Sequence, residues 1–198
     1  MCANRQVPLL FEDIAADPMN AEYTSRGWEP VYSASARSRI ILVGQAPGRI
    51  AQETRIPWND VSGRLLRTWL SVSDDEFYNP ELFALMPMDF YYPGKGTHGD
   101  LPPRKDFAGI WHPRLRAQMP EVRLTILVGA YAQKYYLAGR AQQTLTATVA
   151  NFASYLPEYL PLVHPSPLNA RWRKRNPWFE ADVVPVLRRI VRESIQES

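Results

Sequence analysis

The residues best suited to chemistry lie in three short segments. The first is His164-Pro165-Ser166-Pro167-Leu168-Asn169. Its alternating prolines make a stiff, extended loop. A histidine held there can donate a hydrogen bond to negative charge developing on a ligand. A leucine at the tip of a rigid loop packs poorly but suits insertion into a base stack. Taken singly, each also reads as a satisfied histidine or a rigid surface loop. The second segment is Gly44-Gln45-Ala46-Pro47-Gly48. Its glycines allow a sharp turn and close backbone approach to a ligand. Pro47 stiffens it, and the remaining N–H groups can face an acceptor; a plain structural turn reads equally from these residues. The third segment places four cations, Arg171, Arg173, Lys174 and Arg175, within five residues. That pattern suits phosphate contacts or a solvated helix face.

Segments like these need rigid elements behind them. Four apolar runs, 39–43, 82–86, 124–128 and 160–163, have the length and Ile/Leu/Val content of strands buried on both faces. Helical patterns lie between them. Residues 62–70 put Leu65, Leu66, Trp69 and Leu70 on one face, with Ser62 as a candidate N-cap. Further helices are expected near 107–118 and 131–137. A last one should open at Asn176-Pro177 and turn Val184, Leu187, Val191 and Ile195 inward, with Pro185 bending or restarting it. Strand alternating with helix predicts an α/β fold: a three-layer α/β/α domain around a central, mainly parallel, four-stranded sheet. Ligands bind such sheets beyond the carboxyl ends of the strands. The first two segments above follow the first and fourth runs.

Composition narrows the function classes. The 198 residues are 45% hydrophobic and 22% charged, the balance of one folded domain spanning 1–198. A net charge of +3 permits nucleic-acid binding without requiring it. The single cysteine, Cys2, excludes an internal disulfide and any cysteine-built zinc or iron–sulfur site. No apolar run is long enough to span a membrane, and no secretory signal is evident, so a cytoplasmic, intracellular setting is expected.

The paired motifs GQAPG and HPSPLN resemble those of the uracil-DNA glycosylases. The segment Ile56-Pro57-Trp58-Asn59-Asp60-Val61-Ser62-Gly63-Arg64-Leu65-Leu66 is similar to that superfamily's run of proline, aromatic, short loop, Ser/Ala-Gly and amphipathic helix. Residues 124–132 resemble its third strand and following helix. The likeness extends from about residue 40 to residue 187.

The resemblance implies a base pocket lined by Gln45, Ala46, Pro47 and Gly48, with Trp58 stacking on a flipped-out base. It implies that His164 donates to the base's O2 as the glycosidic bond breaks, and that Leu168 fills the gap in the duplex. Ser62, Ser166, Pro167, Asn169, Arg171 and Arg173 are then expected to contact DNA. Several positions depart from the best-known members. Ala46 stands where they have the water-positioning Asp. Gly48 replaces a Tyr that excludes thymine. Pro87 falls in place of an Asn that reads the uracil edge. Asp89 is expected to read that edge from a shifted position; alternatively its loop, with Tyr91, Tyr92 and Gly-Lys-Gly, contacts backbone or single-stranded DNA. A branch with a GxAPG loop places an acid where Asp60 stands, so Asp60 is either a catalytic group or a helix-capping acid. Some relatives hold an iron–sulfur cluster through four cysteines, which this chain lacks.

The expected activity is that of a monofunctional DNA glycosylase, removing uracil or another deaminated base from DNA without a metal or organic cofactor. It is expected to act as a monomer on DNA, away from membranes. A catalytically impaired DNA- or base-binding module is the alternative. A hydrolase of free nucleosides fits less well, because a small substrate needs neither a Leu168 wedge nor the basic stretch.

Overall fold

The computed structural model describes residues 7–97 and 99–196; Cys2 lies outside them. Four strands form the central sheet: β1 (Ile40–Val43), β2 (Phe83–Leu85), and, after a small hairpin of β3 (Lys95–Gly96) and β4 (Gly99–Asp100), β5 (Leu124–Val128) and β6 (Tyr159–Leu162). Their order is β2-β1-β5-β6 and every pairing is parallel. The sheet is thus wholly parallel, and each strand lies within a residue or so of its apolar run. Pro161 has no N–H to give a ladder, and it sits in an outer strand where such a residue is tolerated.

Alternate side chains go to opposite faces. On one side Ile40, Leu42, Leu85, Ile126 and Leu160 pack with Leu66, Trp69 and Leu70 of α4 (Val61–Leu70) and with Val184, Leu187 and Val191 of α10 (Val184–Gln196). On the other, Ile41, Val43, Ala84 and Leu127 pack with Phe107, Trp111 and Leu115 of α6 (Phe107–Arg116) and with Ala132 and Leu137 of α7 (Ala130–Leu137). This is the expected α/β/α layering. The outer edge of β2 is covered by an extended stretch in which Val31 and Ser33 donate backbone N–H groups to Phe90 and Leu85.

Two local expectations are corrected. The N-cap of α4 is Asp60, not Ser62: Asp60 Oδ1 accepts from Gly63 N at 2.8 Å, and Ser62 is buried in the first turn. Asn176 ends α9 (Ala170–Arg175) and also opens the final helical stretch as expected: its carbonyl accepts from Phe179 N, and the Pro177 carbonyl from Ala181 N. That stretch passes through a π turn over Phe179–Val183 and runs without a break into Val184–Gln196, because Pro185 has no N–H to continue a regular turn. The loop after β6 is extended only as far as Ser166; Pro167–Asn169 then closes a 3-10 turn.

Candidate active site

All four strands point their carboxyl ends the same way, so the segments following β1, β2 and β6 meet at one edge. A cleft of about 110 Å³ opens there, lined by Gly44, Gln45, Ala46, Pro47, Gly48, Trp58, Asp60, Pro87, Asp100 and His164 among others. Gln45, Ala46, Pro47, Gly48, Trp58, Asp60 and His164, all expected from sequence, converge on it. A neighbouring hollow of about 230 Å³ shares Gln45 and His164 and runs toward Tyr131, Asn169 and Trp172.

The Gly44–Gly48 loop is sealed to the segment after β2 by two backbone bonds, Met88 N to Gly44 O (2.9 Å) and Asp89 N to Gln45 O (3.2 Å). The Gln45 side chain is tied by Nε2 to Leu101 O at 3.1 Å. Trp58 is seated by its neighbours' lack of side chains. A Cβ on Gly44 would lie 2.7 Å from Cζ2 of the indole, and one on Gly63 would collide with the Trp58 carbonyl. Trp58 itself holds a left-handed backbone, φ 56°, a conformation a bulky residue adopts only when its surroundings enforce it. Its half-buried ring forms a cleft wall and lies 5.6 Å, centroid to centroid, from the His164 imidazole.

His164 is oriented from within its own loop. Its Nδ1 accepts from Ser166 N at 3.2 Å, and its carbonyl accepts from the Asn169 side chain at 2.9 Å. With Nδ1 occupied as an acceptor, the neutral ring carries its proton on Nε2. Burial pushes its pKa below the ordinary value, while the Asp60 carboxylate pulls the other way. The net direction favours the neutral ring, so His164 offers one N–H donor. Asp60 is a helix cap that also lines the cleft. Oδ1 caps α4, the carboxylate lines the cleft, and no hydrogen bond among the described residues engages Oδ2.

Leu168 is 86% exposed at the loop tip, beside exposed Pro167. Ser166 and Asn169 serve the loop: Ser166 Oγ accepts from Leu168 N, and Asn169 holds His164. Arg171 projects into solvent. Arg173 instead turns back, with Nη1 3.4 Å from Ser166 O and its guanidinium 5.8 Å from the Trp69 ring centroid.

Other expectations fail on geometry. Asp89 does not line the cleft. It is fully buried and takes four hydrogen bonds, from Tyr91 N, Arg104 N, Arg104 Nε and Arg104 Nη2, which leaves nothing to read a base. Tyr91 and Tyr92 are buried too, so neither offers a face to DNA. Ser62, also buried, has little surface for a phosphate. Sequence reasoning missed Asp100 in the cleft; it ends the β3–β4 hairpin, far along the chain from Gly48, and no local signal marks it. It also missed His112, whose Nε2 meets the Pro87 carbonyl at 3.0 Å and whose Nδ1 meets Tyr136 OH at 2.7 Å beneath the cleft floor. Among the described residues no cluster of His, Cys, Asp and Glu is arranged to hold a metal, and no helix is long and apolar enough to cross a membrane.

Residues 30–188, most of the chain, match the family model of the uracil DNA glycosylase superfamily. Among solved structures, the NMR structure of a candidate uracil DNA glycosylase from Methanosarcina acetivorans is 18% identical. The match covers 79% of this chain and 93% of that one, with a TM-score of 0.47.

Proposed function

We propose that this chain, which belongs to the uracil DNA glycosylase superfamily, hydrolyses the N-glycosidic bond of uracil or another deaminated base in DNA. The observation that carries the reading is the convergence of a stacking wall, a directed N–H donor and a half-free carboxylate on one small cleft. Trp58, His164 Nε2 and Asp60 supply these in turn.

Each group answers a demand of the reaction. A base inside a duplex is out of reach, so it must be extruded and held. Leu168 is placed to occupy the gap, and the cleft between Trp58 and the Gly44–Gly48 loop receives the base. As the bond from C1′ to the base nitrogen breaks, its electron pair goes to the base and the sugar becomes cationic. The His164 Nε2–H stabilises the negative charge on the adjacent carbonyl. Asp60 Oδ2 faces the cationic sugar or orients a water whose oxygen adds to C1′. That water's proton passes to the carboxylate and then to solvent or the departing base.

The test is single-turnover excision from oligonucleotides carrying uracil, hypoxanthine, xanthine or mismatched thymine, with alkali revealing abasic sites. Release of at least one base supports the reading. Tight binding to such DNA with no cleavage of any base would establish the binding-module alternative instead, as Ala46 and Pro87 would then imply.

A further inference from the structure

Asp100 has no role in the chemistry above, yet its carboxylate reaches the cleft. It ends the β3–β4 hairpin, and it is held in place. Tyr92 OH donates to Asp100 Oδ1 at 3.4 Å, and Tyr92 is only 8% exposed. Tyr92 N in turn donates to Gln52 Oε1 at 2.9 Å. The next residue, Leu101, gives its N–H to Gly94 O and its carbonyl to the Gln45 side chain. The other oxygen, Oδ2, faces the space left by Gly48: a Cβ there would meet it at 3.9 Å.

The cleft therefore has two polar ends. His164 is a donor delivered from β6, one outer strand. Asp100 is an acceptor delivered from the segment after β2, the other outer strand. A planar base that turns a carbonyl to His164 presents its opposite edge to Asp100. In a pyrimidine held by O2, that edge is the one bearing C5. A carboxylate gains from an O–H or N–H placed there. Against a methyl group it loses water and receives nothing in return.

We propose that Asp100 is a specificity-determining residue for the base, selecting a hydrogen-bond donor on the edge opposite His164 and rejecting a methyl group at the same place. The rejection works by desolvation, since Gly48 leaves the room that bulk would otherwise fill. The inference rests on the glycosylase reading and deepens it to a preference among bases.

The experiment compares 5-hydroxymethyluracil with thymine, each opposite guanine, in single-turnover excision by the parent, Asp100→Ala and Asp100→Asn. Affinities for duplexes carrying the non-cleavable 2′-fluoro forms of the same two nucleotides give a second readout independent of chemistry. The parent should favour the hydroxymethyl base by about tenfold or more, the worth of one charge-assisted hydrogen bond. Asp100→Ala should bring that ratio close to one in both readouts, and Asp100→Asn, which keeps an acceptor oxygen, should retain part of it. Asp100 is exposed, so the denaturation midpoint should not move, which confirms that the variants fold. An unchanged ratio in a folded Asp100→Ala protein overturns the inference while leaving the glycosylase reading intact. A parent that releases none of the tested bases, uracil, hypoxanthine and xanthine included, overturns that reading first, and the inference with it.

Discussion

Two segments leave the same edge of the sheet from its outer strands, β2 and β6, and they use their polar groups in opposite ways. In the first residues after β2, the strong groups are committed inward. Asp89 is saturated by Arg104 and two backbone amides, and Arg104 goes on to hold Met19 O and the Asn20 side chain. The Pro87 carbonyl is taken by His112. After β6, the internal bonds of the loop fix its shape but leave two things unused: the Nε2–H of His164 and the side chain of Leu168. A carboxylate or an imidazole after a strand is therefore no site in itself. What marks a site is hydrogen-bonding capacity that is held in place and not consumed.

The largest expected effect tests the consumed side. Asp89→Ala leaves the Arg104 guanidinium partly buried without its carboxylate, and breaking such a pair costs about 3–5 kcal/mol. Denaturant unfolding should show that loss. An Asp89→Ala protein of parental stability would mean that the segment after β2 is not the anchor it looks like. On the other side, His164→Ala should leave unfolding almost untouched. It should slow single-turnover excision by about 10²–10³, the usual worth of one oxyanion-type donor. A His164→Ala protein that unfolds early but cuts at the parental rate would invert the comparison.

Much of this contrast was legible in the residues, and the illegible part has a physical reason. The four strands stand out because buried parallel strands need unbroken apolar runs, and such runs are visible one residue at a time. The cleft was legible too, because Gly44–Gly48 and His164–Asn169 each follow such a run. The fate of Asp89 was not, since it depends on Arg104, fifteen residues on, folding back across the loop. The cap of α4 was misplaced for a related reason. Asp60 and Ser62 are both good caps locally, and the choice falls to Asp60 because Gly63 must press against the Trp58 carbonyl, which buries Ser62 in the first turn. Asp100 entered the cleft through a hairpin whose register no short pattern announces.

The two histidines extend the comparison to pH. Burial lowers the pKa of His112 from 6.5 to about 4, with the Pro87 carbonyl opposing that shift. A depressed histidine favours the folded state when neutral. Its contribution is therefore present above pH 6.5, is lost as pH falls, and is gone by about pH 4. A gap of that size corresponds to about 3 kcal/mol. Denaturant midpoints followed from pH 7 downward should fall on that limb, and His112→Gln should flatten it. His164 acts on rate instead. Protonating Nδ1 would set an N–H against the Ser166 N–H it now accepts from, so excision should fall on the acid side of the ordinary histidine range. If excision holds while stability falls, His164 does not depend on that tautomer.

The smallest effect separates two neighbouring arginines by the same criterion of free capacity. Arg171 and Arg173 sit two residues apart on α9, just past the Leu168 tip, and their charges are identical. Arg173 has its guanidinium engaged with Ser166 O and stacked toward Trp69, with its side chain only 18% exposed and Glu180 nearby. Arg171 is exposed and meets no such partner among the described residues. Only a cation free to displace a counterion from DNA contributes to the salt dependence of binding, and each such contact adds about 0.9 to the slope of log affinity against log salt. Arg171→Ala should therefore flatten the slope by about one unit and leave base preference alone. Arg173→Ala should leave the slope nearly as it was, yet loosen the loop that holds His164, so its loss should appear in excision rate. Titrations of DNA affinity across a salt series, run beside single-turnover rates, resolve the two patterns. Equal slope changes in both variants would show that Arg173 exchanges its internal bonds for a phosphate, and that capacity already committed in the free protein can still be recruited by DNA.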